Sequence, residues 1–355
     1  MSTHGPVEDG REIPTFEEFA AQWFERQTVE GGRAGTGLAA KSREDLEWRL
    51  AGHLLPAFAS RRVDEISIRD VDGYRVGKVR EGELAPSSIN KTIATLASIL
   101  EVAVEYEIIG RNPARGRRRR LRSSTPKRSW LDRADHIAAL LDGAGVLDQE
   151  ARAACGQRRA LLATLVFGGL RVGEALALRW RDVDLERDTI LVRAAKTDAG
   201  MRGINVLPVL HEELASYRDQ RTISDDDLTF GTGTGRPHGA SNVRRRVLAK
   251  AVERADAALE QDGIDPLPTG LTPHALRRTF ASLLFAMGET PPYVMAQMGH
   301  TSANLTLSLY ARQMDRRDGE PERLRALVEG RAGELAASVA HDPIASGNRT
   351  RPGDD

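Results

Sequence analysis

The chain has 355 residues, enough for two domains of ordinary size. It carries 51 Lys and Arg against 51 Asp and Glu, so the total charge argues neither for nor against a nucleic-acid partner, and the distribution of charge has to decide. A single cysteine, Cys155, excludes a disulfide framework, and the lack of a signal segment or a long apolar run points to a cytoplasmic protein that does not enter a membrane.

Residues 1–14 read as a disordered lead. Thr15-Phe16-Glu17-Glu18 is a capping box that opens a helix with Phe16, Phe19, Ala20 and Trp23 on one face. After a glycine-rich break at 31–37, a second helix follows Lys41. Its Leu46, Leu50 and Leu54 keep helical spacing, and it is expected to end near Pro56. Ser67 to Asp70 is another capping box, leading a third helix through Tyr74 and Val79. Pro86 starts the fourth and longest, with Ile89, Ile93, Leu96, Leu100 and Val104 as its apolar stripe and Asn112-Pro113 as its stop. Four helices over residues 15–114 make a small all-α domain. Residues 115–128 are rich in Arg and Lys and hold no acid. They read as a basic linker, solvated if it only connects, phosphate-crossing if it joins two DNA-binding domains.

A second domain is expected over residues 129–340. Leu131–Leu141 is an amphipathic helix. Ala151–Phe167 is a buried one, stopped by Gly168-Gly169, and Val172–Leu178 is short. Two strands, 188–192 and 203–207, flank a hairpin turn from Lys196 to Gly200. Helices follow at 210–220 and 242–261. The glycines from Gly231 to Gly235 lack the Gly-Lys-Ser/Thr ending of a phosphate loop and read as a plain turn. Thr272 as N-cap and Pro273 at the first helical position start another helix. His274 and Arg277, three apart, share its face near backbone amides that favour an anion. A short helix then ends at Met298-Gly299-His300, and Ser302 is placed to cap a helix carrying Tyr310. The last helix, 321–339, has an apolar strip of Leu324, Leu327 and Val328 continued by Leu335. The tail 341–355 reads as disordered.

Two boxes stand in order: Gly169-Leu170-Arg171-Val172-Gly173-Glu174, then His274-Ala275-Leu276-Arg277 with Met298-Gly299-His300 and Tyr310. Together they resemble the tyrosine recombinase, or phage integrase, family, over a span from Phe16 to about Val339. Met298 stands where that family has Leu, a nearly volume-conserving change, and Arg278 where a second His is common. The resemblance implies a mainly α fold with a small antiparallel β-sheet. An N-terminal helical core-binding (SAM-like) domain and a C-terminal α+β catalytic domain would clamp duplex DNA. It implies transesterification without metal, cofactor or ATP. Tyr310 would attack the phosphodiester, and Arg171 and Arg277 would hold its non-bridging oxygens. His274 and His300 would share the proton and hydrogen-bonding duties, and Lys196 would be the general acid. Glu174 would order the Arg171 region, and Arg202 would contact phosphate or support the hairpin.

Implied partners are double-stranded DNA at two recombination sites and further copies of the chain in a tetramer, the segment after Tyr310 packing on a neighbouring protomer. An accessory directionality factor is compatible with this. The lead of residues 1–14 is too short for the arm-binding domain some members carry, so either action at simple core sites or a form lacking that domain is expected. The competing readings are a DNA-binding protein that has kept the fold and lost cleavage, a chromosome-dimer resolvase, and a type IB topoisomerase.

Overall fold

The structure, a computed structural model, describes residues 12–32, 35, 37–116, 120–122, 129–151, 157–193, 201–299 and 320–330. The chain divides into two compact units, Met1–Pro126 and Lys127–Asp355.

In the first unit, local signals start the helices. α1 (Phe16–Glu30) begins where the Thr15 hydroxyl accepts from the Glu18 amide at 3.3 Å and the Glu18 carboxylate accepts from the Thr15 amide at 2.8 Å. α2 (Ala40–Arg49) does not run unbroken to its expected end near Pro56. It widens into a π-helical turn, Leu50–Leu54, and continues as α3 (Leu55–Phe58). Pro56 thus falls in the first turn of the new segment, where a missing N–H costs little. α4 (Ile68–Glu81) starts on a second capping box, with the Ser67 amide donating to Asp70 at 2.9 Å. α5 (Pro86–Glu105) has proline in its first turn and ends before Asn112-Pro113, because Glu107 turns to φ 61°. Asn112 instead ties the following turn, donating to the Ala97 carbonyl at 2.7 Å and accepting from the Ala114 amide at 3.0 Å.

Phe16, Leu54, Phe58, Leu96, Ile99 and Leu100 form the centre of this core. The Phe58 ring packs between Phe16 and Tyr74, with centroids 5.8 and 5.5 Å away. Within the basic stretch, Leu121 is held to α5 from both sides: its amide donates to Asn90 at 2.8 Å and its carbonyl accepts from Asn90 at 2.9 Å.

The second unit runs α6 (Ala134–Gln149), α7 (Gln157–Phe167), α8 (Val172–Ala177), β1 (Val183–Asp184), β2 (Thr189–Val192), β3 (Arg202–Asn205) and α9 (Pro208–Asp219). α10 (Ala240–Asn242) then passes through a π turn, Val243–Leu248, into α11 (Ala249–Gln261). α12 (Pro273–Ala286), α13 (Pro291–Met298) and α14 (Glu320–Val328) follow. α7 and α12 are buried along most of their length and make the middle of the core. α6 lies close on α11 because Gly143 has no side chain. A Cβ there would stand 2.6 Å from the Ala251 carbonyl oxygen. The strands form one antiparallel sheet in the order β1-β2-β3, with Ile190 opposite both Val183 and Ile204. The whole is mainly α with a small antiparallel sheet, as expected from sequence.

One expectation is overturned. The family resemblance places Leu324, Leu327 and Val328 against a neighbouring protomer. Leu324 and Val328 are 1% and 0% exposed, on a helix that packs on α12, α6 and α9 of its own unit. Leu327 joins the same core, and Glu320 accepts from the Ala134 amide at 2.8 Å. A local apolar face is available to this strip, so it is buried there. Leu335 lies outside the described residues. Among the described residues no helix is long and apolar enough to cross a membrane.

Candidate functional site

The Gly-Gly-Leu-Arg box turns sharply out of α7. Gly169 has φ 61°, and a Cβ on it would lie 2.1 Å from the Phe280 ring of α12, so only glycine fits there. The turn delivers Arg171 to the start of α8. There its amide donates to Glu174 at 2.9 Å and its guanidinium Nη1 pairs with Glu174 Oε1 at 2.5 Å. The Glu174 side chain is only 5% exposed, whereas that of Arg171 is 46% exposed.

α12 starts as its sequence predicts, with the Thr272 hydroxyl accepting from the Ala275 amide at 3.1 Å. His274 is exposed. Arg277, one turn on, is fully buried at 0% exposure. Its Nη1 donates to the Gly169 carbonyl and its Nη2 to the Met298 carbonyl. Nη1 also lies 3.9 Å from Glu174, while Nε finds no hydrogen-bond partner among the described residues.

A third guanidinium completes the cluster. Arg202, at the start of β3, donates from Nη2 to Glu174 Oε2 at 3.0 Å and from Nη1 to Oε1 at 3.4 Å, and from Nε to the Gln297 carbonyl at 2.7 Å. Arg171 Nη2 reaches the Gly299 carbonyl at 3.3 Å. The carbonyls of Gln297, Met298 and Gly299 therefore each accept from a different arginine: Arg202, Arg277 and Arg171 in turn. Among the described residues these carbonyls at the end of α13 have no helical amide to accept from, and a helix C-terminus favours positive charge. Gly299 closes α13 in the left-handed region, φ 57°.

Three guanidinium groups surround one carboxylate, so the cluster is positive overall. Burial alone would raise the Glu174 carboxyl. Hydrogen bonds from Arg202 and the Arg171 amide, with the Arg202 charge, outweigh it and hold the carboxyl below its ordinary value. Burial pushes Arg277 down to about 9, and Arg171 and Arg202 add to the effect while Glu174 opposes it. The group is still charged at neutral pH, but it is short of compensation. An anion beside it would be stabilised on arrival.

Of the six residues singled out from sequence, the structure brings Arg171 and Arg277 together around Glu174 and puts His274 on the same helix as Arg277. Lys196, His300 and Tyr310 lie outside the described residues. Arg179 and Arg181 are tied to the loop residue Asp226, as surface arginines commonly are. Sequence reasoning left Arg202 between two roles and missed the row of α13 carbonyls. No local pattern marks main-chain acceptors 95 residues from their donor.

Residues 141–317 match the phage integrase family. The chain belongs to that family, the tyrosine recombinases. Similar phage integrase family members include the prophage integrase IntR of Escherichia coli (strain K12). It is 27% identical over 256 residues, covering 64% of this chain and 58% of that protein, so the match spans less than two thirds of it. The tyrosine recombinase XerC of Brucella suis biovar 1 is 26% identical over 262 residues, 72% of this chain and 77% of its own length. Among solved structures, the Tn1549 transposon integrase in complex with transposon right end DNA superposes with a TM-score of 0.68 at 19% identity. The match covers 88% of this chain and 98% of that one. A lambda integrase tetramer bound to a Holliday junction gives 0.66 at 16% identity, over 89% and 84%. These two likenesses concern the fold.

Proposed function

We propose that this chain is a site-specific DNA recombinase, an integrase of a phage or mobile element, acting in the cytoplasm through a covalent 3′-phosphotyrosine intermediate. The Tyr310 phenolic oxygen attacks the phosphorus of a scissile phosphodiester. The P–O5′ bond breaks, Lys196 gives its proton to the departing 5′ oxygen, and the phosphoryl group stays on tyrosine. A 5′-hydroxyl from the partner duplex reverses the step, so the bond energy is conserved and no nucleotide is consumed. Arg171 and Arg277 stabilise the negative charge that gathers on the non-bridging oxygens. His274 and His300 take the tyrosine proton and hydrogen-bond the phosphate between them.

The observation that carries this reading is the guanidinium cluster. It holds an excess of positive charge around Glu174, includes the two box arginines, and grips the end of α13 one residue before His300. The prophage and transposon relatives support a mobile-element role, and the DNA-bound structures of similar fold support duplex DNA as the partner. The lambda tetramer bound to a Holliday junction supports assembly of four copies on two sites, and an accessory directionality factor is compatible with that assembly.

The test is incubation with a nicked suicide duplex, on which the cut strand diffuses away. A denaturant-resistant protein–DNA adduct is expected from the parent chain and none from Tyr310→Phe. An adduct undiminished by that change rules out Tyr310 as nucleophile. Binding without any adduct from the parent would favour a silent DNA-binding protein.

A further inference from the structure

We infer that Arg202 is a positioning residue for the strand-cleavage step, acting through Glu174 and the end of α13 without touching DNA; the inference rests on the recombinase reading above. Its side chain is 6% exposed, and its nitrogens are already committed. Nη1 and Nη2 fork onto Glu174, and Nε caps the Gln297 carbonyl. A guanidinium so enclosed has no face for a phosphate. What it does have is one rigid plane in contact with three segments: its own strand β3, the α8 helix that carries Glu174, and the end of α13. The packing is close on the last of these. A Cβ on Gly299 would sit 3.1 Å from Arg202 Cδ. Asn205, further along β3, continues the seam, its amide donating to the Gln297 side chain at 2.9 Å and its own side chain to Tyr293 at 2.9 Å.

Two consequences follow for the proposed chemistry. First, Glu174 is shared. Arg171 and Arg202 both pair with it, and Arg277 stands just beyond. Were Arg202 neutral, the carboxylate would draw more strongly on Arg171 and compete with a substrate phosphate for it. With Arg202 engaged, the exposed side of Arg171 is left for an anion. Second, Arg202 fixes the carbonyl that immediately precedes those held by Arg277 and Arg171. The direction in which the chain leaves α13 toward His300 is then set by three donors in a row. Arg202 also opens the strand that returns from the segment bearing Lys196, so one side chain ties that strand to both boxes. Misplacement of reacting groups by about 1 Å costs on the order of 10²-fold in rate, so a residue that only holds others in place can weigh heavily.

The experiment uses Arg202→Lys in the full chain. An ammonium keeps the charge but cannot reproduce the planar fork onto Glu174 together with the third bond. Single-turnover adduct formation on the suicide duplex is expected to fall about 10- to 100-fold. DNA affinity should stay within about twofold, and the slope of log Kd against log salt should not change. Adding Glu174→Gln, which removes the charge Arg202 neutralises, should recover part of the lost rate, so the two changes are non-additive. Should Arg202→Lys be unfolded by circular dichroism at the assay temperature, Arg202→Gln takes its place. It keeps an amide donor but removes the charge and the fork onto Glu174, and the same split between rate and affinity is expected. A rate within twofold of the parent in a folded variant overturns the positioning role. So does a salt slope reduced by about one in the uncharged Arg202→Gln, which would make Arg202 a phosphate contact. If the parent itself forms no adduct, the recombinase reading falls and this inference falls with it.

Discussion

The two units bury polar groups on different terms. Among the described residues, the first unit buries no formally charged side chain: its core polar groups are Thr92, Thr95 and His53. The second buries Glu174, Asp182 and Arg277, two of them in one cluster formed by the two boxes. A helical core of this size folds without buried ions, as the first unit demonstrates. Buried ion clusters are weak sources of stability and are often replaceable by apolar residues. Their concentration at one place marks a site kept for its electrostatics. His53 shows the cheaper way to bury a base. Neither ring nitrogen finds a partner among the described residues, and burial, helped by Lys78, keeps the ring's pKa below its ordinary value. Histidine escapes by shedding its proton. Arginine cannot, so Arg277 takes two carbonyls and a nearby carboxylate instead.

The largest effect should come from the cluster. Arg277→Met is expected to slow adduct formation by about 10²–10³ while duplex binding persists in a gel-shift assay. An unaffected rate would make the buried ions of the second unit no different in purpose from the apolar core of the first.

Next come matched cavities. Leu96→Ala in the first unit and Leu324→Ala in the second, both at 1% exposure or less, should each cost about 2–5 kcal/mol in denaturant unfolding. If Leu324→Ala leaves stability intact and weakens only association between copies, the strip on α14 belongs to an interface after all.

Smaller still are the caps. Thr15→Ala and Thr272→Ala should each cost about 1 kcal/mol. Only the second should also slow cleavage, because α12 carries His274 and Arg277.

The smallest effect is in acid. His53 titrates at 6.5 when unfolded and lower when folded, so its contribution is intact above 6.5 and is lost as pH falls below that value toward the folded pKa. Glu174, with an ordinary value of 4.5 that is depressed in the fold, contributes stability above 4.5 that is lost as pH falls through its folded pKa. Unfolding curves measured from pH 7 downward should show the earlier loss disappear in His53→Leu and the later one persist.

What could be read from the chain was what is local. Thr15, Ser67 and Thr272 announce their helices within three residues, and each cap is found where the pattern places it. The strand Thr189–Val192 follows from a short β-branched run, and Arg202–Asn205 lies within two residues of the strand expected at 203–207. The turn at Gly169 and the nearness of Arg171 to Glu174 are likewise consequences of adjacent residues. Ends that depend on distant packing were missed, such as the passage of α2 into α3 through a π turn and the early stop of α5 at Glu105. The full burial of Arg277 beside an exposed His274 has no periodic signature either. Arg202 is the sharpest case: its partners stand 28 and 95 residues away, and only the fold brings them to it.

The most direct measurement is to digest the covalent complex trapped on suicide DNA and locate the attached nucleotide by mass spectrometry. A 3′-phosphonucleotide is expected on the peptide containing Tyr310, with its yield sharply reduced in Arg171→Ala and Arg277→Met. A nucleotide on any other residue, or a yield indifferent to both arginines, would contradict the proposed mechanism.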